Sequence, residues 1–153
     1  MIDNLQFSSA TRDDIPKIVE MLQDDQLGAT RELFSDPLPE CYYQAFDEIE
    51  TEPNNELVIA RLDNEMVGFL QITFIPNLTY KGGRRALIES VRVAKSARRN
   101  GIGKALIEFA ITKSRERNCR VVQLTSNKER KGTIEFYLSQ GFDLSHEGFK
   151  LMI

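Results

Sequence analysis

Apolar residues recur at Ile102, Ala105, Leu106, Phe109 and Ala110, spaced i, i+3, i+4, i+7 and i+8, and this stripe predicts an amphipathic helix from the glycines at 101 and 103 to about Arg117. The same period at Ile15, Ile18, Val19 and Leu22 predicts a first helix over about residues 13–24, with Thr11 and Asp14 in capping-box-like spacing ahead of Pro16. Tyr42, Ala45, Phe46 and Ile49 give a second helix that ends near "TEPNN". Ile134, Phe136, Tyr137 and Leu138 give a shorter one over residues 131–140, stopped by Gly141.

Strand patterns fill the intervals. "LQFSSA", residues 5–10, alternates weakly, and "ELVIARL" with "MVGFLQITFI" flanks the polar "DNE" as a hairpin. "ALIESVRV" and "RVVQLT" read as fourth and fifth strands, and "FDLS" and "GFKLMI" as short closing strands. Residues 87–125 thus run strand, helix, strand, which in one sheet implies a parallel pair with a right-handed crossover. "DQLGATRELFSDPLPE" is a long loop for a compact domain, and "PNLTYKGGRR" a basic, glycine-bearing one. With no internal repeat, low-complexity tract or linker, residues 1–153 read as one α/β domain.

Composition removes several classes. Hydrophobic residues at 41% and charged residues at 28% lie far from the signature of disorder. No apolar run approaches the ~20 residues of a membrane span, and "MIDNLQFSS" has neither a basic n-region nor an h-region, so the expected setting is cytoplasmic, without a membrane partner. Cys41 and Cys119 are unpatterned and His146 is the single histidine, so neither a metal site nor a disulfide framework is expected. The net charge of −3 divides unevenly, −11 over residues 1–60 and +8 over residues 61–153. Either these are solvated faces, or the second half meets an anion and the first half a cation.

The segment "RRNGIGK" stands between a strand and the first turn of a helix. There, free backbone N–H groups and the positive end of the helix dipole favour an anion, and residues without a Cβ let the backbone approach it. It reads as a phosphate cradle. Walker A needs a glycine where Arg98 stands and a Ser or Thr where Ala105 stands, and a dinucleotide fingerprint needs glycine at Leu106. Both fail.

The remaining pattern, Arg98-x-x-Gly101-x-Gly103, resembles the R/Q-x-x-G-x-G/A signature of the GNAT superfamily of acetyl-CoA-dependent N-acetyltransferases. The order of elements is similar to the family's over nearly the whole chain, and "TSN" followed by "EFYLSQGF" resembles its second motif. The chain departs from many members at Lys95, Arg99 and Thr133, where they carry Pro, Gly and Ala. Gly132, if interior to the last helix, weakens it by about 1 kcal/mol relative to Ala. The resemblance implies an α/β (α+β) domain with a mixed, mostly antiparallel sheet of six to seven strands, a parallel fourth and fifth pair, and about four helices.

The resemblance also implies the site. Arg98, Arg99, Asn100, Gly101, Ile102, Gly103 and Lys104 would hold the pyrophosphate of acetyl-CoA, mainly through backbone N–H groups. Val91 and Val93 would pair with the pantetheine arm, the N–H near Val91 meeting the oxyanion, and Asn127 would contact the arm or cap the last helix. Period-two alternation sets Glu89 on the same side of the strand as Val91 and Val93. Tyr137 matches the tyrosine that protonates the departing thiolate, and its bland reading is an aromatic core residue beside Phe136. Glu89 is the best-placed base, unless it pairs with Arg84 or Arg85, and His146 is a surface or strand-end residue before it is a base.

Transfer of acetyl to a primary amine by direct attack in a ternary complex follows from the resemblance. Asp24, Asp25, Glu32, Asp36, Glu40, Asp47 and Glu48 lie in the segments that wall the family's acceptor site, which favours a small cationic amine. A non-catalytic acyl-CoA-sensing module and an enzyme acting on a protein or peptide amine are the alternatives, and a homodimer is an open assembly state. Nucleic acid is disfavoured, because "KSARRN" lacks the aromatic interleaving of such sites.

Overall fold

Asp63 and Asn64, both left-handed at φ 49° and 70°, close a two-residue turn between β2 (Asn55–Leu62) and β3 (Glu65–Ile75). Two consecutive positive φ values match the right-handed twist of the flanking strands, and Asp and Asn bear them at low cost. β1 (Leu5–Ser9) pairs antiparallel with β2, and β3 with β4 (Arg84–Val93). β5 (Cys119–Leu124) lies beside β4 and runs parallel to it, so the sheet order is β1-β2-β3-β4-β5. The structure is a computed structural model that describes residues 2–153. It divides into two compact units, Met1–Gln123 and Leu124–Ile153.

Register assigns the two faces of the sheet. Leu57, Ile59 and Phe69 face α1 (Ile15–Gln23) and α2 (Glu40–Thr51), and pack with Ile15, Ile18, Val19, Met21 and Phe46. The opposite face carries Gly68, Leu70, Ile72 and Phe74 and receives α4 (Ile102–Glu116). Ile102, Leu106, Ile107 and Ala110 of that helix are fully buried, and each large aliphatic side chain so placed is worth about 1.5–3 kcal/mol. Phe109 stacks on Phe7 at 4.5 Å between ring centroids, which ties the helix to β1. Ile107 joins this interface from outside the stripe seen in the sequence.

Gly68 sets how closely α4 approaches. A Cβ there would lie 2.9 Å from Leu106 Cδ1 and 2.9 Å from the Arg92 carbonyl oxygen. The first turn of α4 therefore rests on bare backbone.

Several expected boundaries differ. The first helix opens with a 3-10 turn at Arg12–Asp14, where the Asp14 carboxylate accepts from both Thr11 N–H and Thr11 Oγ, before α1 begins at Ile15. The loop after β3 contains a single turn, α3 (Thr79–Gly82), with Tyr80, Lys81 and Gly82 left-handed. With α5 (Thr133–Ser139), the described residues hold five helices and five strands, rather than about four helices and six to seven strands.

In the second unit, "FDLS" and "GFKLMI" form no strand, and Phe149, Leu151 and Ile153 are exposed. Alternation there supplies propensity, but a strand exists only with a ladder partner, and the described residues offer it none. Gly132 is the N-cap of α5 at φ 76°, not an interior residue, so its missing Cβ favours the helix start instead of weakening it.

Candidate active site

The turn between β4 and α4 is built by three successive backbone choices. Lys95–Ala97 make a 3-10 turn, Arg99 is left-handed at φ 66°, and Gly101 at φ 79° reverses the chain into α4. The first ladder bond of the helix runs from Ala105 N–H to Gly101 C=O at 3.0 Å, so the N–H groups of Ile102, Gly103 and Lys104 precede the ladder. These N–H groups stand at the positive end of a fifteen-residue helix, at the segment "RRNGIGK" where a phosphate cradle is expected. Arg98 turns back, its Nε donating to the Val93 carbonyl at 3.1 Å, which pins the end of β4 to the cradle. Arg99 stands where many members of the resembled family have glycine, and its positive φ supplies the reason glycine suits the position.

Glu89 does not share a face with Val91 and Val93. In the β3–β4 register, Phe69 faces Arg92 and Gly68 faces Val93, whereas Gln71 faces Glu89, so β4 has one extra residue in this interval. Ser90, left-handed at φ 54°, is at the bulge. Period-two counting fails across such an insertion. Glu89 therefore lies with Gln71 on the α1/α2 side, exposed, while Val93, and Val91 by alternation with it, lie on the α4 side. The visible signal was the pair Glu89-Ser90, two polar residues that interrupt the alternation of "ALIESVRV".

Glu89 makes no ion pair among the described residues; Arg85 instead donates to Gln123 and Thr79. Opposite Glu89, Gln71 Nε2 donates to Asn55 Oδ1 at 3.0 Å, so a polar row crosses β4, β3 and β2 on one face. Asn55 also lines a hollow of ≈ 560 Å³ at the end of α2, with Glu48 and Glu52. Neither Gln71 nor Asn55 stands out in the sequence, because only the register sets Gln71 opposite Glu89, and Asn55, opposite Thr73, joins them through a diagonal hydrogen bond.

Most carboxylates expected to face an acceptor are paired. Asp24 binds Lys95 at 2.7 Å, Asp25 lies 3.6 Å from Arg92, and Asp47 and Glu40 meet Arg12 at 2.6 and 3.5 Å. Glu32 accepts from the Tyr42 hydroxyl at 3.1 Å, and that hydroxyl in turn accepts from Leu33 N–H. Burial, with the neighbouring Glu32, raises the Tyr42 phenol above its usual value, although the Leu33 hydrogen bond works the other way. Tyr42 thus stays protonated and holds the loop between α1 and α2.

In the second unit, Asn127 Oδ1 accepts from Glu129 N–H at 2.9 Å, so it closes a turn ahead of α5, whose N-cap is Gly132. The Tyr137 ring is half-buried and meets Phe136 and Phe142 edge-on, at 5.1 and 5.8 Å. His146 is exposed and its Nδ1 contacts Ser145 Oγ at 2.7 Å. Among the described residues no group of three or more His, Cys, Asp or Glu could hold a metal ion, and no helix is long and apolar enough to cross a membrane.

Residues 18–142 match the Acetyltransferase (GNAT) family. The chain belongs to this GNAT family. It is 26% identical over 145 residues to an uncharacterized N-acetyltransferase of Methanocaldococcus jannaschii, a match covering 94% of this chain and 62% of that protein. The chain therefore spans less than two thirds of the length of that curated relative. Among solved structures, a transcriptional regulator from Bacillus halodurans C-125 shares 46% identity at a TM-score of 0.95, over 97% of this chain and 99% of that one. A predicted acetyltransferase from Clostridium acetobutylicum, with acetyl-CoA, superposes at a TM-score of 0.71 over 97% and 96% of the two chains, with 22% identity, a likeness of GNAT fold alone.

Proposed function

We propose that this GNAT protein transfers the acetyl group of acetyl-CoA to a primary amine of a small cationic molecule, by direct attack within a ternary complex. The observation that carries the reading is the left-handed Gly101 opening α4, which presents the leading N–H groups of that helix to an anion. The pyrophosphate of acetyl-CoA would bind residues 98–104, and the pantetheine arm would run along β4 at Val91 and Val93. The bulge at Ser90 supports this, because it interrupts pairing with β3 beside the peptide that would offer its N–H to the oxyanion.

The amine nitrogen, deprotonated by Glu89 directly or through water, attacks the thioester carbonyl. The tetrahedral intermediate collapses, the C–S bond breaks, the coenzyme A thiolate takes a proton from Tyr137, and the proton left on the amide nitrogen returns to the tyrosinate through solvent. Asn127 would contact the arm through its remaining amide donors. The position of Glu89 on the α1/α2 face, opposite Gln71, which bonds Asn55 diagonally, supports a base on the side of the acidic hollow at Glu48 and Glu52. A cationic acceptor suits that hollow.

A second reading is favoured by the 46% identical relative described as a transcriptional regulator: an acyl-CoA-binding module without turnover. Calorimetry with acetyl-CoA and a thiol-release assay against an amine panel separate the two. Binding together with amine-dependent thiol release supports the enzyme, binding without release supports the module, and absence of binding defeats both.

A further inference from the structure

At the far end of α4 from the cradle, about 22 Å along the helix axis at 1.5 Å per residue, the C-terminus of α4 and the starts of β4 and β5 enclose a depression of ≈ 720 Å³. Lys81, Arg84, Arg115, Arg117 and Arg120 line it, and no carboxylate does. None of Lys81, Arg84, Arg115 and Arg120 takes part in an ion pair among the described residues. Elsewhere in this unit several cations of the second half are matched to carboxylates of the first, as Arg61 is to Asp14 and Lys113 to Glu56. The depression instead gathers four cations without an ion pair among the described residues.

Part of the site is held in place. Arg117 lies over the Phe74 ring at 4.7 Å and donates through Nη2 to the Pro53 carbonyl at 3.0 Å. Gly83 is buried, and a Cβ there would come within 2.5 Å of Arg120 Cγ, so the absent side chain gives the Arg120 stem its place. The left-handed backbone at Tyr80 and Lys81 turns the chain at the rim. Burial raises the Cys119 thiol above its ordinary value, although Arg84 and Arg117 pull the other way, so Cys119 adds no negative charge at neutral pH. The negative end of the α4 dipole opposes an anion here, but it amounts to about half a charge, against five cations.

We propose that this depression binds a small polyphosphorylated anion at a site separate from the acyl-CoA cradle. Arginine forks match phosphate oxygens in pairs, and unpaired cations held close together are relieved by a ligand carrying several charges. The volume falls within the range of small-molecule sites, about 300–1,000 Å³. No aromatic side chain lines the depression, which disfavours single-stranded nucleic acid, whose sites add stacking platforms to the cations. Inorganic tripolyphosphate and a nucleoside triphosphate share the required chemistry.

The test uses the full chain saturated with coenzyme A, so that the cradle is filled, and titrates tripolyphosphate and then ATP by calorimetry at moderate salt. One anion should bind per chain. Arg84→Gln with Arg120→Gln should weaken it by at least about tenfold, the loss of one or two charge-assisted hydrogen bonds, with coenzyme A affinity and melting temperature unchanged. Comparable binding of the two ligands assigns recognition to the phosphate chain, and tighter ATP binding adds a nucleoside contact; both support the site. The proposal is overturned by no saturable binding, by equal binding to the double variant, by competition with coenzyme A, or by variant-sensitive binding of short duplex DNA where tripolyphosphate does not bind. The coenzyme A readout separates failure here from failure of the acetyltransferase reading.

Discussion

Lys95, which opens the 3-10 turn before the cradle, donates to the carboxylate of Asp24, the C-cap of α1, at 2.7 Å. Beside it Arg92 of β4 meets Asp25. Together with Asp14–Arg61 and Glu56–Lys113, these pairs fold the basic second half of the chain onto the acidic first half. Part of the charge split between the −11 and +8 halves is therefore used inside the fold, and not all of it faces ligands.

The Asp24 pair gives a pH-dependent prediction. The hydrogen bond from Lys95, aided by the charges of Lys95 and Arg98, holds the Asp24 carboxyl below its ordinary value, against a smaller opposing effect of burial. A depressed folded pKa contributes stability that is fully present above the unfolded value, near 3.9, and is lost as pH falls through the folded value. Urea melts should therefore show Asp24→Asn less stable than the parent at pH 6, with the difference closing as pH falls below the unfolded value. The pair is exposed, so added salt should shrink the difference as well. A difference that is constant with pH would remove the ionic contribution.

Gly68→Val tests the seat of α4. The new side chain would meet Leu106 Cδ1 and the Arg92 carbonyl at distances real Cβ atoms do not adopt, so α4 or β4 must shift. We expect a loss of about 1–3 kcal/mol in urea unfolding, typical of overpacking, and weaker acetyl-CoA binding through the displaced cradle. Unchanged stability would show that the helix yields freely at this point.

Which parts of this fold were legible depended on how local their causes are. The α4 stripe, the polar turn at "DNE" and the glycine that precedes α4 are set by residues within a turn or two of one another, and the sequence carries them openly. The bulge at Ser90 is a relation between two strands, and it alone decides that Glu89 points away from the side of Val93. The charge split was visible but its meaning was not, because a count of carboxylates does not reveal that Asp24 and Lys95 meet. "GFKLMI" alternates like a strand, yet pairing needs a neighbour that no local pattern encodes.

Arg99→Gly should separate backbone cost from charge. A left-handed non-glycine residue costs about 1–2 kcal/mol, and glycine removes that cost while adding flexibility to the unfolded chain, so a net gain of up to about 1 kcal/mol is expected. The same change deletes a cation beside the cradle and should weaken acetyl-CoA binding modestly. Stability that rises while affinity falls is the expected result. Movement of both in one direction would contradict it.

Tyr137→Phe should preserve the edge-on contacts with Phe136 and Phe142, and hence the ring packing of α5. Loss of the general acid should lower kcat by about 10²–10⁴-fold, with acetyl-CoA affinity unchanged. An unaltered kcat, measured where chemistry limits the rate, would reduce Tyr137 to a packing residue.

The acceptor prediction rests on the carboxylates that pairing leaves over. Asp36 and Glu48 enter no ion pair among the described residues, and Glu48 lines the hollow that Asn55 connects to the row ending at Glu89. Glu32 is a poorer test position, because its removal would also release Tyr42 and the loop it holds. Asp36→Asn with Glu48→Gln should therefore raise KM for a cationic amine more than for a neutral-tailed one, with acetyl-CoA affinity unchanged. If the gain is electrostatic, it must fade with salt, since the screening length falls from about 10 Å at 0.1 M to about 3 Å at 1 M. The parent's preference for the cationic amine should then shrink toward that of the double variant as salt rises. Equal KM values for the two amines in both proteins, at low and high salt alike, would mean that these carboxylates only coat the surface.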